Sequence, residues 1–259
     1  MTQPVRVAIL FSARGSNMQR LASHLAKPSV GGEFVLAITN RPAAGGIEFC
    51  KAHGVPCAVI DHEDYETRAG FEAEMQKALD KAQVDLICAA GFMRLLTADF
   101  VTRWHDRIIN IHPSLLPAYK GLNTHARVLA DGGKEHGCSV HYMRAEMDDG
   151  PIIVQKRVPV LGEDTADTLA ARVLKQEHIA YPEAIDIVTD RAEEDLSELL
   201  ETDVRVTIFP PDYVNDIKVE PYFNDQIPTT SDTCDAKREY LQGLQSYSNL
   251  IAPEDLCES

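Results

Sequence analysis

Apolar residues in this chain fall alternately into short continuous runs and into stretches with helical spacing, the order that builds a parallel α/β sheet. Residues 5–11 (VRVAILF) are apolar apart from Arg6, as a strand buried on both faces requires. Residues 34–39, 57–60 and 86–90 repeat that pattern, and helical spacing over 18–26, 45–53 and 66–82 separates the runs. In the last of these helices Phe71, Met75, Ala78 and Leu79 recur as a core-facing stripe. Thr97 is placed to cap a helix through Arg103. The β-branched run Arg107, Ile108, Ile109 predicts a further strand, and a short helix lies within 121–131. Strand-like 138–142 and 152–160 are too close in sequence for a parallel crossover and are predicted to pair antiparallel. Asp164 or Thr165 then caps a long helix to about residue 189. The expected architecture is a three-layer α/β fold with a mostly parallel sheet and one antiparallel pair.

Open α/β sheets bind ligands at the carboxyl ends of their strands, which directs attention to Asn110 and His112 at the end of the 107–109 run. Two residues apart on a strand, they share a face. Pro113 pushes His112 toward extended geometry, and Pro117 stops any helix that Ser114 might begin. Asp148 sits in a turn-like Asp-Asp-Gly-Pro segment from which its carboxylate could fold back on His112, raising the imidazole's proton affinity and fixing the ring. A neutral amide donor, an imidazole and a carboxylate, with no serine or cysteine nucleophile in the set, suit direct transfer to an amine through an oxyanion. Taken singly, a strand-end histidine is more often structural.

A second site candidate follows the first strand. Ser12-Ala13-Arg14-Gly15-Ser16-Asn17 is a small polar turn leading into a helix N-terminus, where unpaired N–H groups and the helix dipole favour an anion. An ordinary turn with Ser16 or Asn17 as the helix cap fits the spacing equally well. The chain has no Walker lysine and no spaced G-x-G-x-x-G, which weakens triphosphate and dinucleotide readings.

Composition narrows the class. The formal charge is −15, against the clustered Lys and Arg of a nucleic-acid binder. Its distribution is uneven: residues 190–259 carry 17 acidic against 5 basic side chains, leaving 23 against 20 for the rest. Residues 191–259 therefore read as an acidic extension on a nearly neutral body. Six dispersed cysteines without a Cys-x-x-Cys pair read as reduced thiols, and no apolar run approaches about 18 residues, so a cytoplasmic protein without a membrane partner is expected. His105, His112, His125, His136 and His141 crowd one stretch, but without tight ligand spacing or His-Glu-x-x-His; no metal is expected, and His136 and His141 read as hydrogen-bond partners of the site.

Asn110-Ile111-His112-Pro113-Ser114-Leu115-Leu116-Pro117, then Gly121 with Thr124-His125, His136-Gly137 with Ser139-Val140-His141, and Asp148 with Gly150-Pro151, resemble the glycinamide ribonucleotide formyltransferases of purine biosynthesis over roughly residues 5–189. The resemblance implies transfer of a formyl group from 10-formyltetrahydrofolate, a co-substrate, to the amine of glycinamide ribonucleotide, with Asn110, His112 (as imidazolium) and Asp148 catalytic. It assigns the phosphate to Gly15, Ser16 and Asn17, and the ribose hydroxyls to Glu177, otherwise a solvated helix carboxylate. It makes Met93, Arg94, Leu95 and Leu96, which otherwise read as core, a wall of the folate slot that Asn110 and Asp148 also line. It sets Arg68, otherwise a surface ion-pair residue, near the folate's glutamate tail. Ala13 departs from the family loop Ser-Gly-x-Gly-Ser-Asn; at a positive φ it would cost about 1 kcal/mol.

The resemblance implies a Rossmann-like formyltransferase domain over residues 1–190 and leaves residues 191–259 without a role. A monomer or homodimer acting on small molecules is expected. Among related folate enzymes, formyltetrahydrofolate hydrolase carries a regulatory domain before its catalytic one, whereas this chain opens on its first strand; methionyl-tRNA formyltransferase carries a basic C-terminal domain, whereas this one ends acidic. A non-catalytic folate-binding protein is the alternative from another class, opposed by the intact Asn110, His112 and Asp148.

Overall fold

The computed structural model describes residues 3–190. The acidic extension and the strand-like stretch expected at 204–209 lie outside them. In chain order the elements are β1 (Val5–Phe11), α1 (Ser16–Leu25), β2 (Gly32–Thr39), α2 (Gly46–Ala52), β3 (Cys57–Val59), α3 (Arg68–Lys81), β4 (Leu86–Ala89), α4 (Ala98–Arg103), β5 (Ile108–His112), α5 (Thr124–Ala130), β6 (Glu135–Tyr142), β7 (Ile152–Pro159) and α6 (Ala166–Asp190), with a single 3-10 turn at His62–Asp64. The strands form one sheet in the order β3-β2-β1-β4-β5-β6-β7. β1 to β5 are parallel; β6 runs antiparallel to both β5 and β7. The three-layer, mostly parallel architecture expected from the apolar pattern is the one observed, with β5·β6 as a second antiparallel pairing.

The run at 5–11 is continuously apolar because it feeds two cores. Val7, Ile9 and Phe11 face a core closed by Met18 and Leu21 of α1, Cys50 of α2, Val128 of α5, and Leu169, Val173 and Tyr181 of α6. Ala8 and Leu10 face the other, closed by Phe71, Met75 and Leu79 of α3 with Phe100 and Trp104 near α4. Each of these β1 side chains is fully buried, and burying a large one is worth roughly 1.5–3 kcal/mol.

Helix starts account for the differences from the sequence reading. α1 begins at Ser16, two residues early, because Gly15 adopts the left-handed conformation (φ 69°, ψ 36°) and takes the N-cap place with no side-chain cap bond. Ser16 and Asn17 are therefore inside the helix rather than capping it. α3 begins at Arg68 rather than 66 because the Thr67 side chain accepts from Gly70 N at 3.1 Å. β6 begins at Glu135, three residues before the apolar stretch, because its first residues pair with the end of β7. Pro182 lies inside α6 and cannot donate to the His178 carbonyl; Arg20 Nε of α1 donates to it instead at 3.0 Å. With His24 Nε2 2.7 Å from Asp186 Oδ1, that bond fixes α1 against α6.

Candidate active site at the strand ends

The chain moves from β1 outward to β2 and β3, then returns to β4 on the other side of β1, so the crevice between the carboxyl ends of β1 and β4 is the switch point of the sheet. The loop after β1, the segment after β4 and the end of β5 all open there.

On β5, Asn110 is half-buried and His112 is 6% exposed. Register pairs Asn110 with His141 of β6 and His112 with Ser139. The Asn110 amide Nδ2 lies 3.3 Å from His141 Nε2 and donates to it, because His141 Nδ1 is committed as the donor to the Tyr142 carbonyl at 2.9 Å. Burial lowers the pKa of His141, consistent with that neutral tautomer. His112 Nε2 donates to the Tyr119 carbonyl at 3.0 Å, and its Nδ1 is 3.4 Å from Asp148 Oδ2. Asp148, at φ 51°, is locked by Gly121 N, which donates to Oδ2 at 2.9 Å; its other oxygen is 3.8 Å from His141 Nε2. Asn110, His112 and Asp148 thus meet, and His141 touches two of them.

The loop that aims the Tyr119 carbonyl is held from below by a satisfied buried network. Ser139 Oγ donates to Ser114 O (2.7 Å) and accepts from Leu116 N (3.1 Å) and Gln155 Nε2 (2.9 Å), while Ser114 Oγ donates to Ala118 O at 2.7 Å.

At the end of β1, Ala13 is not among the residues with positive φ, so the condition under which an alanine would be strained there is not met. The Asn17 side chain turns toward α6, where Nδ2 donates to Glu177 Oε2 at 2.6 Å; among the described residues Asn17 Oδ1 has no partner. Glu177 is 9% exposed rather than solvated, and burial raises its pKa against the opposing effect of the Asn17 bond. Gly15, Ser16, Asn17 and Glu177 therefore form one locus. Beyond β4, Met93 (65%) and Leu95 (57%) are exposed and stand off the core, Arg94 is half-buried, and Leu96, half-buried, packs against the core beneath α3. Arg68 is exposed in the first turn of α3 and, among the described residues, forms no ion pair; it joins none of the contacts above.

His136 Nε2 lies 3.0 Å from His125 Nδ1, and burial pushes the pKa of His136 down to about 4. A histidine whose folded pKa is depressed is matched to the fold while neutral. Stability should be complete above the unfolded value of about 6.5 and fall as pH drops toward 4, because only the unfolded chain takes the proton readily. His125 and His141, also lowered by burial, add to the same slope. Urea midpoints measured across that window should decline on acidification; a flat profile would contradict neutral burial. Among the described residues no group of three or more His, Cys, Asp or Glu side chains could hold a metal ion, and no helix is long and apolar enough to cross a membrane.

Sequence reasoning brought Asn110, His112 and Asp148 to one place but did not show what orients them. His141 was legible only as a partner of the site, since its meeting with Asn110 depends on the β5·β6 register. The Tyr119 carbonyl and Gly121 N–H are backbone groups and carry no residue-type signal.

Residues 5–185 match the family described as formyl transferase. The chain is 42% identical over 191 residues to the trifunctional purine biosynthetic protein adenosine-3 of Gallus gallus, an alignment that takes in 74% of this chain. The chain spans about a fifth of that relative's length (19%). It is 36% identical over 186 residues to phosphoribosylglycinamide formyltransferase of Escherichia coli K12, covering 72% of this chain and 88% of that protein. Among solved structures, the phosphoribosylglycinamide formyltransferase of Coxiella burnetii superposes with a TM-score of 0.68 at 42% identity, over 73% of this chain and 89% of the other.

Proposed function

This chain belongs to the formyl transferase family, and we propose that it moves the formyl group of 10-formyltetrahydrofolate to the amine of glycinamide ribonucleotide in purine biosynthesis. The observation that carries this reading is the meeting of Asn110, His112 and Asp148 at the end of β5, next to the switch-point crevice. The substrate amine attacks the formyl carbon. Asn110 donates to the resulting oxyanion, and His112 gives up one of its present acceptors to donate to it as well. Asp148 holds His112 and receives the proton leaving the amine through water. The bond from carbon to N10 of the folate then breaks, N10 takes a proton, and no covalent enzyme intermediate or metal is used.

Gly15, Ser16 and Asn17 hold the phosphate, since the first turn of α1 offers unpaired N–H groups beside a loop free of side chain at Gly15. Glu177 meets the ribose hydroxyls from the carboxylate that Asn17 already orients. Met93, Arg94, Leu95 and Leu96, with Asn110 and Asp148, line the folate slot, and Arg68 lies toward the glutamate tail of the folate. The protein works in the cytoplasm as a monomer or homodimer, with residues 1–190 as the formyltransferase domain and 191–259 as an appended acidic extension. A steady-state comparison of glycinamide ribonucleotide, water and charged initiator tRNA as acceptors tests the assignment. Turnover is expected with the ribonucleotide alone; faster formate release than transfer would favour the hydrolase, and no turnover with any acceptor would favour a binding protein.

A chain ending at Asp190 should melt cooperatively and transfer formyl groups at a rate within about threefold of full length, because the described residues up to that point already form two hydrophobic cores and include every proposed ligand contact. A truncated protein that melts cooperatively but transfers nothing would place part of the active site in the extension.

A further inference from the structure

Ser12 opens the loop motif after β1, yet its hydroxyl is not offered to that loop. Ser12 is 5% exposed; its Oγ donates to Asn40 Oδ1 at 2.6 Å and accepts from Met93 N at 2.7 Å, and its own N–H donates to the Gly91 carbonyl at 3.1 Å. Asn40 is fully buried and is itself gripped by His62, whose Nδ1 donates to the Asn40 carbonyl at 2.9 Å. The hydroxyl is thus fixed from behind by Asn40, the residue that follows β2, and spent on the segment that leaves β4.

At the far end of that segment stands a second buried group. Glu72 of α3 is 4% exposed, and one of its carboxylate oxygens accepts from Thr97 N at 2.6 Å while the other accepts from Thr97 Oγ1. Thr97 in turn caps α4, accepting from Phe100 N at 3.3 Å. Between the two anchors the chain turns out of β4 at Gly91 (φ 76°) and runs to Thr97 without entering the sheet, holding the exposed Met93 and Leu95. A segment with no ladder of its own keeps one shape only through bonds from neighbouring elements.

We propose that Ser12 and Glu72 are positioning residues that clamp the 91–97 segment at its two ends and hold Met93 to Leu96 as a preformed wall for the folate. The first residue of the phosphate-loop motif therefore serves the folate side of the crevice, and within that motif it is Gly15 to Asn17 that serve the nucleotide. This rests on the proposed function above, in particular on Met93 to Leu96 lining the folate slot. Preorganisation of this kind acts on affinity, by sparing the ligand the cost of ordering its own site.

The test is a pair of titrations, tetrahydrofolate and glycinamide ribonucleotide separately, on wild type, Ser12→Ala, Ser12→Thr and Glu72→Gln, each first shown to melt cooperatively. Ser12→Ala strips the acceptor from Met93 N–H and should weaken tetrahydrofolate about tenfold while shifting ribonucleotide affinity less than about twofold. Ser12→Thr keeps the hydroxyl and should recover most of the loss. Glu72→Gln, outside the loop motif, should reproduce the folate-selective effect at about threefold to tenfold, and turnover at saturating substrates should stay within about threefold in both variants. If Ser12→Ala does not fold, Glu72→Gln decides alone. Equal losses for both ligands, or unchanged tetrahydrofolate affinity beside a wild type that binds it, would overturn the clamp. A wild type that binds the ribonucleotide but not tetrahydrofolate would instead overturn the folate reading of the wall, and the clamp with it.

Discussion

His112→Ala and Asp148→Asn should each lower kcat at least about 100-fold, because each removes stabilisation that exists only once charge develops on the formyl oxygen. The two changes act differently. His112→Ala deletes a donor and leaves a small void against the Tyr119 carbonyl, which loses its partner at 3.0 Å. Asp148→Asn preserves shape: an amide oxygen still accepts from Gly121 N, so the turn at φ 51° persists, but the negative charge facing His112 Nδ1 is gone. KM values for both substrates should change only a few-fold, since neither group supplies most of the binding surface. Steady-state kinetics with a melt of each variant checks this, and turnover near wild type in either would sink the proposed chemistry.

Gly15→Ala should raise the dissociation constant for the ribonucleotide about tenfold or more while leaving tetrahydrofolate within about twofold. Gly15 holds φ 69°, where an alanine costs about 1 kcal/mol of backbone strain. Its added Cβ would also fall 2.9 Å from Met18 Cε, so the tip of the methionine must shift, and 3.5 Å from Gly46 Cα. The backbone strain falls on the residue that takes the N-cap place of α1 and precedes the N–H groups proposed to receive the phosphate. Equal loss for both ligands, measured by titration, would count against the phosphate assignment.

These variants separate what the sequence discloses from what only the fold supplies. The two faces of β1 and the stripe of α3 were legible because burial dictates residue type at fixed periods. That Asn110, His112 and Asp148 would meet was legible because the first two share a strand face, Asp148 lies in a turn able to fold back on them, and their neighbours carry family motifs. The start of α1 was not, because a left-handed Gly15 replaces the side-chain cap that Ser16 or Asn17 would otherwise supply. Glu177 looked like a solvated carboxylate because its partner, Asn17, is 160 residues away. The roles of Ser12 and Glu72 were hidden for the same reason: buried polar side chains declare themselves only through the backbone groups they meet, and register and loop path set those meetings. Arg68, exposed and without an ion pair among the described residues, gains nothing from the structure beyond its place on α3.

The most direct measurement follows the formyl group itself. Rapid-quench mixing of the protein with glycinamide ribonucleotide and 10-formyltetrahydrofolate labelled in the formyl carbon should move the label onto the ribonucleotide amine, one formyl per tetrahydrofolate released, with none retained on protein after denaturation. Label bound to protein in the first turnover, or released as formate ahead of formylated ribonucleotide, would contradict direct transfer at Asn110, His112 and Asp148.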